Sequence, residues 1–327
     1  MIRTSNAHTS GRPIRAVVAT LAASLVLAPV LSSPASAATA PAPPKYKEYV
    51  ALGDSWSADV VLLGLAGQPT ARFTPLDCFQ ATNNYPKQVA KAIGVPTFRD
   101  ATCGSATTDN FAKPQPGLPF GGTNPAQFDR LTPTTDLVTV GIGGNDADLA
   151  GAVVSCINLL PSITILPGLT LPAPLGGSCK KVLTAGGVDK LGNAIKASQL
   201  KVIRALRAIH RRSPHARILL VNYLAAVPKT GCWPYVPILN EDMPYIYDKF
   251  TELNAMLKRA ADRGGAELVD TYTPTLGHDI CKSPFTRYAE AVIPISLNGP
   301  ALAVPAHPNS AGANAQAQIV LKAINGK

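Results

Sequence analysis

A serine that follows a short apolar run and a tight turn can serve as a nucleophile. Gly53-Asp54-Ser55-Trp56 offers one, directly after Tyr49-Val50-Ala51-Leu52. Glycine permits the sharp turn there. A helix beginning after it would aim main-chain N–H groups at an incoming negative oxygen. Alone, the Gly-Asp-Ser triplet is more often a plain turn. Three further segments carry complementary chemistry. In Thr102-Cys103-Gly104-Ser105 the Gly104 N–H is offered with no side chain in the way. Gly141-Ile142-Gly143-Gly144-Asn145-Asp146 lets the backbone approach a ligand closely, and the Asn145 amide is a hydrogen-bond donor. Ala306-His307-Pro308-Asn309 supplies an imidazole. A serine hydroxyl is a weak nucleophile until such a base takes its proton.

These residues need a frame that brings distant positions together. Short apolar runs at 49–52, 97–100, 136–142, 217–223 and 266–270 read as strands, the third and fourth rich in β-branched or continuous apolar residues. Between them lie helical stretches. Residues 85–93 close at Gly94, a C-cap glycine. A helix capped by Asp146 runs to about Ser155. Residues 188–212 form a long amphipathic helix that ends before Pro214, and residues 244–263 close at Gly264-Gly265. A last helix occupies 309–324, with Pro308 before it or at its first position. Strand alternating with helix predicts an α/β fold, a mostly parallel five-stranded sheet covered by helices on both faces in a three-layer α/β/α arrangement. Sites in such sheets lie at the carboxyl ends of the strands. Each of the four chemical segments falls where a strand or loop meets that edge.

The chain has 327 residues and a formal net charge of +10. Its first 37 residues carry Arg3, Arg12 and Arg15, an apolar run from Ala16 to Leu31, and Ala35-Ser36-Ala37. Positive flank, short apolar core and small-residue exit read as a secretory signal cleaved near Ala37. The core is short of the roughly 20 apolar residues a membrane span needs. Residues 38–44 are then a loose Pro/Ala leader, and residues 45–327 one domain able to bury its own core. Without the three signal arginines, 27 basic residues face 20 acidic ones, about +7 by ordinary side-chain charges. The dense basic run, Arg204, Arg207, Arg211, Arg212 and Arg217, reads as the solvated end of a helix rather than a nucleic-acid surface. The six cysteines, even in number behind a secretory signal, imply disulfides. Of 15 connectivities, the simplest joins neighbours in sequence: Cys78–Cys103, Cys156–Cys179 and Cys232–Cys281. No cysteine pair, histidine or carboxylate cluster has metal-ligand spacing, so neither metal nor cofactor is expected. Nor does the sequence point to an obligate protein partner.

Taken together and in this order, the four segments resemble the signature blocks of the SGNH (GDSL) hydrolase superfamily. The resemblance runs from the YVALGDS start to the C-terminal helix and is nearest to secreted actinomycete lipases and esterases, which share the six-cysteine layout. It implies a flavodoxin-like sheet and a serine esterase or lipase acting on acylglycerols, phospholipids or small acyl esters, with transient contact to a lipid surface. It implies Ser55 as nucleophile, His307 as general base, and an oxyanion hole of the Ser55 N–H, the Gly104 N–H and the Asn145 amide. The family usually places an aspartate three residues before the histidine. Here Val304 stands in that position, so the expectation is a Ser-His dyad whose imidazole is oriented by the Val304 carbonyl. Two smaller departures are Trp56, in a place more often leucine or tyrosine, and Asp59, where many relatives have glycine; Asp59 is expected to be solvated.

Other candidates have plainer readings. His278-Asp279 is a rival base, but its neighbour Cys281 favours a structural histidine beside a disulfide. His210 and His215 belong to the solvated basic helix end, and Asp54 bonds backbone at its turn. Asp146 and Asp148 cap a helix. Trp233 and Tyr235 either line a cleft or pack under a disulfide. The apolar segments 157–177 and 291–304 could wall an acyl chain, and the scarcity of aromatics argues against a sugar-stacking cleft. Two other functions remain open at this stage: a polysaccharide acetylesterase, and a non-catalytic lipid or glycan binder in which the missing aspartate marks decay.

Overall fold

A computed structural model describes residues 45–61, 73–162, 164–166, 169–291 and 303–326. The apolar runs form β1 (Glu48–Gly53), β2 (Thr97–Asp100), β3 (Leu137–Gly141), β6 (Arg217–Val221) and β7 (Glu267–Val269); a hairpin of β4 (Thr164–Leu166) and β5 (Leu169–Thr170) stands apart. The five strands lie in the order β2-β1-β3-β6-β7, every neighbouring pair parallel. Side chains alternate across a strand. In β1, Tyr49 and Ala51 enter one core and Val50 and Leu52 the other. All of β1 is buried, which explains why its sequence shows no polar alternation.

The helices are α1 (Ser55–Ala58), α2 (Tyr85–Ile93), α3 (Asp109–Ala112), α4 (Leu149–Ser155), α5 (Cys179–Leu183), α6 (Lys190–Arg212), α7 (Met243–Gly264) and α8 (Ser310–Asn325). Tyr85 and Val89 of α2 and Ala317, Val320 and Ile324 of α8 cover the Tyr49 face. Leu206 and Ile209 of α6 and Leu253 and Leu257 of α7 belong to the core on the Val50 face. The result is a three-layer α/β/α fold.

Helix ends follow local chemistry. The Asn84 side chain accepts from the Lys87 N–H to start α2, which ends at Gly94 with φ 61°. Asn309 caps α8 by accepting from Gly312 N–H. The expected Asp146 cap is not formed. The Asp146 carboxylate instead accepts from the Thr108 N–H at 2.9 Å and the Thr108 hydroxyl at 2.6 Å, and lies 3.7 Å from Lys201 Nζ. The chain turns for two further residues, and α4 starts at Leu149 behind Asp148, which sits at the cap position with φ 53° and no side-chain capping bond.

The three bridges join Cys78 to Cys103, Cys156 to Cys179 and Cys232 to Cys281. Each closes a single loop, a constraint on the unfolded chain worth typically about 2–4 kcal/mol. The segments expected to be signal and leader, 1–37 and 38–44, lie outside the described residues, as does 292–302 of the apolar segment 291–304. Among the described residues no helix is long and apolar enough to cross a membrane.

Candidate active site

The connections leaving β1 run to β2 on one side and those reaching β3 lie on the other, so the sheet order reverses at β1 and β3. Ligand crevices form at the carboxyl ends of such strands. Gly53 and Gly141 end these two strands side by side, and the Asp54 N–H donates to the Gly141 carbonyl at 2.9 Å. Both must be glycine for a packing reason. A Cβ on Gly53 would lie 2.5 Å from Ser57 Oγ, and one on Gly141 would collide with the same hydroxyl. With neither present, α1 tucks against the strand ends and Ser55 emerges in its first turn. Asp54 caps α1, accepting from the Trp56 N–H at 3.0 Å.

His307 arrives from the far end of the chain, on the loop before α8. Its Nε2 lies 2.8 Å from Ser55 Oγ, and its Nδ1 lies 2.9 Å from the Pro305 carbonyl oxygen. A carbonyl only accepts, so Nδ1 carries the proton and Nε2 presents its lone pair to the serine hydroxyl. The orienting carbonyl is therefore that of Pro305, not Val304 as the sequence led us to expect. The reason is a turn. Pro305 and Ala306 occupy its centre, Ala306 with φ 60°, and the His307 N–H donates to the Val304 carbonyl at 3.1 Å. Proline first and a left-handed residue second is the pattern of a type II turn. The Val304 carbonyl is thus taken by the main chain, and the next carbonyl faces the ring.

The loop is clasped from both sides. Val304 N–H donates to the Val60 carbonyl at 3.0 Å, just beyond α1. Glu290 N–H donates to the His307 carbonyl and Ala306 N–H to the Glu290 carbonyl, both at 2.9 Å. Beneath this clasp the Arg287 and Glu290 side chains form an ion pair at 2.5 Å, both fully buried. Burial of the imidazole pushes its pKa below the usual 6.5, only partly offset by the Pro305 hydrogen bond.

The three expected oxyanion donors fare differently. The Ser55 N–H, at the head of α1, has no acceptor among the described residues. Asn145 Nδ2 donates to the Ala106 carbonyl at 2.9 Å, which leaves the second amide hydrogen open. The Gly104 N–H is already committed to the Cys78 carbonyl at 3.1 Å. The Cys78–Cys103 bridge holds the two Cα atoms 4.4 Å apart and brings that carbonyl to Gly104. Gly104 therefore borders the site without a free N–H.

Two cavities meet at Ser55, Asn145, Val304 and His307. One, of about 290 Å³, is walled by Leu149 and Val153 of α4 and by Met243, Ile246 and Phe250 of α7. The other, of about 310 Å³, is bordered by Val60, Phe79, Gly104 and Pro119. The α7 wall was missed in the sequence. Its signal is the spacing of Met243, Ile246 and Phe250, three then four residues apart on one helix face, which reads as ordinary core. No described residue of 157–177 lines the first cavity. Ile157 instead pairs with Ile238, whose side chain does.

The remaining candidates fall outside the reaction centre. Asp59 is not solvated. It is 2 % exposed, sits at φ 48° and accepts from the Tyr85 N–H at 2.8 Å. Burial raises its pKa well above the ordinary carboxylate value. His278 stacks flat on Tyr288, and its Nδ1 bonds the Thr286 carbonyl at 2.6 Å. Trp233 Nε1 donates to the Asn158 carbonyl, and Tyr235 bonds Arg287; neither aromatic lines a cavity that contains Ser55. His210 bonds the Gly265 carbonyl at 2.8 Å. Asp54 does more than bond its turn. It accepts from Tyr223 Oη at 2.5 Å, and burial pushes its pKa up to about 7 against the pull of that bond and the Trp56 N–H. Among the described residues no group of His, Cys, Asp and Glu could hold a metal ion.

Comparison with known proteins places this geometry. Residues 51–315 match the GDSL-like Lipase/Acylhydrolase family. Lipase 2 of Streptomyces coelicolor is 34% identical over 93% of this chain and 95% of its own length. An esterase of Streptomyces scabiei is 29% identical over 98% of this chain and 96% of its own. Two crystal structures share the fold. Phospholipase A1 from Streptomyces albidoflavus NA297 superposes with TM-score 0.60 at 20% identity, over 86% of this chain and 99% of that one. An extracellular lipase from Streptomyces rimosus does so with TM-score 0.58 at 21% identity and the same coverage. The family match over most of the chain, together with the full-length resemblance to Lipase 2, shows that this protein belongs to the GDSL-like lipase/acylhydrolase family and is a carboxylic ester hydrolase.

Proposed function

We propose that the ester is cleaved through an acyl-enzyme on Ser55, with His307 as general base in a dyad that contains no carboxylate. The observation that carries this reading is the relay itself: Ser55 Oγ 2.8 Å from Nε2, and Nδ1 held by the Pro305 carbonyl. Nε2 takes the hydroxyl proton as Oγ attacks the ester carbonyl. Negative charge grows on the carbonyl oxygen and is met by the Ser55 N–H and the open Asn145 amide hydrogen. The imidazolium returns its proton to the leaving alcohol, and water repeats the sequence to free the acid. The Pro305 carbonyl fixes the tautomer and gives the imidazolium a dipole rather than a full negative charge.

The α4/α7 cavity suits the acyl chain. It is apolar along its walls and opens directly on Ser55. The cavity beside Gly104 and Pro119 would then take the alcohol. Such a long apolar wall favours a lipase or medium-chain esterase over a deacetylase, and the intact relay favours an enzyme over a decayed binder. Val154, 64% exposed, borders the first cavity, and Phe120, 67% exposed, follows Pro119 of the second. These side chains support transient contact with a lipid surface. The signal-like residues 1–37 and three disulfides support secretion, with residues 45–327 as the catalytic domain.

Hydrolysis of p-nitrophenyl esters from acetyl to palmitoyl tests the acyl assignment. Wild type is expected to prefer chains longer than acetyl, and Ile246→Trp, which fills the cavity, to shift that preference to shorter chains. An acetyl preference in wild type, or an unchanged profile in the variant, contradicts it.

A further inference from the structure

We propose that Tyr223 is a positioning residue that sets the gap between the nucleophile and the oxyanion amide. The inference rests on the roles given above to Ser55 and Asn145, and goes beyond them. Tyr223 follows β6, one strand away from β3. Its hydroxyl donates to Asp54 Oδ2 at 2.5 Å and accepts from the Gly144 N–H at 2.8 Å. Asp54 immediately precedes Ser55, and Gly144 immediately precedes Asn145. One buried phenol thus bridges the two segments that must present hydroxyl and amide to the same carbonyl oxygen.

The bridge is stiff for three reasons. Tyr223 is 4 % exposed and Asp54 2 %, so water does not compete for these bonds. The phenol stem is fixed by its own main chain, where Tyr223 N–H donates to Asn254 Oδ1 of α7 at 2.9 Å. Its ring is packed edge-on by Trp56, centroids 5.3 Å apart at 80°, and by Phe250 at 6.1 Å. The approach at Gly144 is close. A Cβ there would lie 2.9 Å from Tyr223 Oη. Glycine at 144 therefore serves the bridge, at a position that also borders the first cavity. Asp54 divides its two oxygens between the jobs: Oδ1 caps α1 through the Trp56 N–H, and Oδ2 takes the phenol. The carboxylate that the family motif places before the nucleophile thereby ties the Ser55 turn to the Asn145 loop.

Without the phenol oxygen, both loops keep their strands but lose their mutual reference. Oxyanion donors work only when preorganised, and misplacements of about 1 Å reach about 100-fold in rate. Tyr223, Asp54 and Gly144 border the first cavity, but removing the phenol oxygen leaves its apolar walls of α4 and α7 in place, so substrate still enters. The signature is a fall in kcat at constant KM. It must also vanish when the amide it positions is already gone.

The experiment is a double-mutant cycle on the full-length protein with p-nitrophenyl butyrate: wild type, Tyr223→Phe, Asn145→Ala and the double variant, with melting temperatures for all four. Tyr223→Phe is expected to lower kcat by about 10- to 100-fold with KM changed less than about twofold, and to cost less than about threefold further in the Asn145→Ala background. Three results overturn the proposal. One is kcat within about twofold of wild type in folded Tyr223→Phe. Another is the same fold-loss with and without Asn145, which would mean that Tyr223 acts elsewhere. The third is an Asn145→Ala variant with kcat within about twofold of wild type, which removes the oxyanion reading as well and is distinguishable because it needs no Tyr223 variant. If Tyr223→Phe does not fold, Gly144→Ala disturbs the same contact from the other side. The same kcat loss, again absent in the Asn145→Ala background, is expected; unchanged kcat overturns the proposal.

Discussion

The two halves of the reaction centre are built on different principles. The nucleophile turn, 53–59, is held by the sheet. Gly53 is in register with Gly141 of β3, the turn's helix packs on the strand ends, and Asp54, Ser57 and Asp59 are each 2 % exposed, the two carboxylates meeting main-chain or phenolic donors. The histidine loop, 303–309, has no such foundation. It hangs between Val60 and the 288–290 segment on main-chain hydrogen bonds, with an ion pair beneath it. The first region is rigid because its side chains fit a lattice of strands. The second is rigid only because its neighbours clasp it. A carboxylate on the ring's far side would be redundant in such a clasp: the Pro305 carbonyl already fixes the tautomer, and the clasp fixes the carbonyl.

The comparison can be broken most forcefully from below. Arg287 and Glu290 are both fully buried and paired at 2.5 Å. Glu290→Gln removes the carboxylate from this ion pair, and breaking buried pairs in this way costs about 3–5 kcal/mol. Because the Glu290 backbone holds His307, kcat is expected to fall along with thermal stability. A loss under about 1 kcal/mol, read from chemical denaturation, would mean that the clasp stands without its foundation.

Restoring the family aspartate sharpens the same point. Val304 faces both cavities, while the ring Nδ1 is turned to Pro305. Val304→Asp therefore places a charge in the substrate space rather than behind the imidazole. The expected result is a drop in kcat/KM for butyryl and longer esters, of about tenfold or more given the desolvation of a carboxylate beside apolar substrate. A rise in kcat would show that the loop can accept a triad.

A smaller effect lies in the pH profile. The base must be neutral to take the Ser55 proton. Burial lowers the His307 pKa, so the neutral form persists as pH falls through 6.5 and is lost only below it. The acid limb of kcat/KM should accordingly lie below pH 6.5. An acid limb above that value would indicate an anionic partner raising the pKa, in conflict with a carbonyl-held ring.

The same contrast explains what was legible in the sequence. Five strands and the major helices follow from apolar periodicity and caps such as Asn84, Gly94 and Asn309, all local signals. Ser55 and His307 were identifiable because their motifs sit at strand and helix ends. What failed was long-range or stereochemical. The orienting carbonyl moved from Val304 to Pro305 because Ala306 takes φ 60°, and nothing in an alanine announces a left-handed residue. The Gly104 N–H was lost to a carbonyl that only the Cys78–Cys103 bridge brings near. Asp146 turned from capping α4 to bonding Thr108, 38 residues earlier in the chain. Tyr223 looked like the end of a strand, since a phenol's hydrogen bonds cannot be read from its neighbours.

The central claim is that Ser55 and His307 act as one unit without a carboxylate. The most direct test measures kcat on p-nitrophenyl butyrate for Ser55→Ala, His307→Ala and the double variant, with folding confirmed for each. Members of a catalytic unit are strongly non-additive. Each single variant is expected to lose about 10⁴-fold or more, and the double variant no more than the worse single. A single variant within about tenfold of wild type, or a double variant whose loss is the product of the two, would contradict the account.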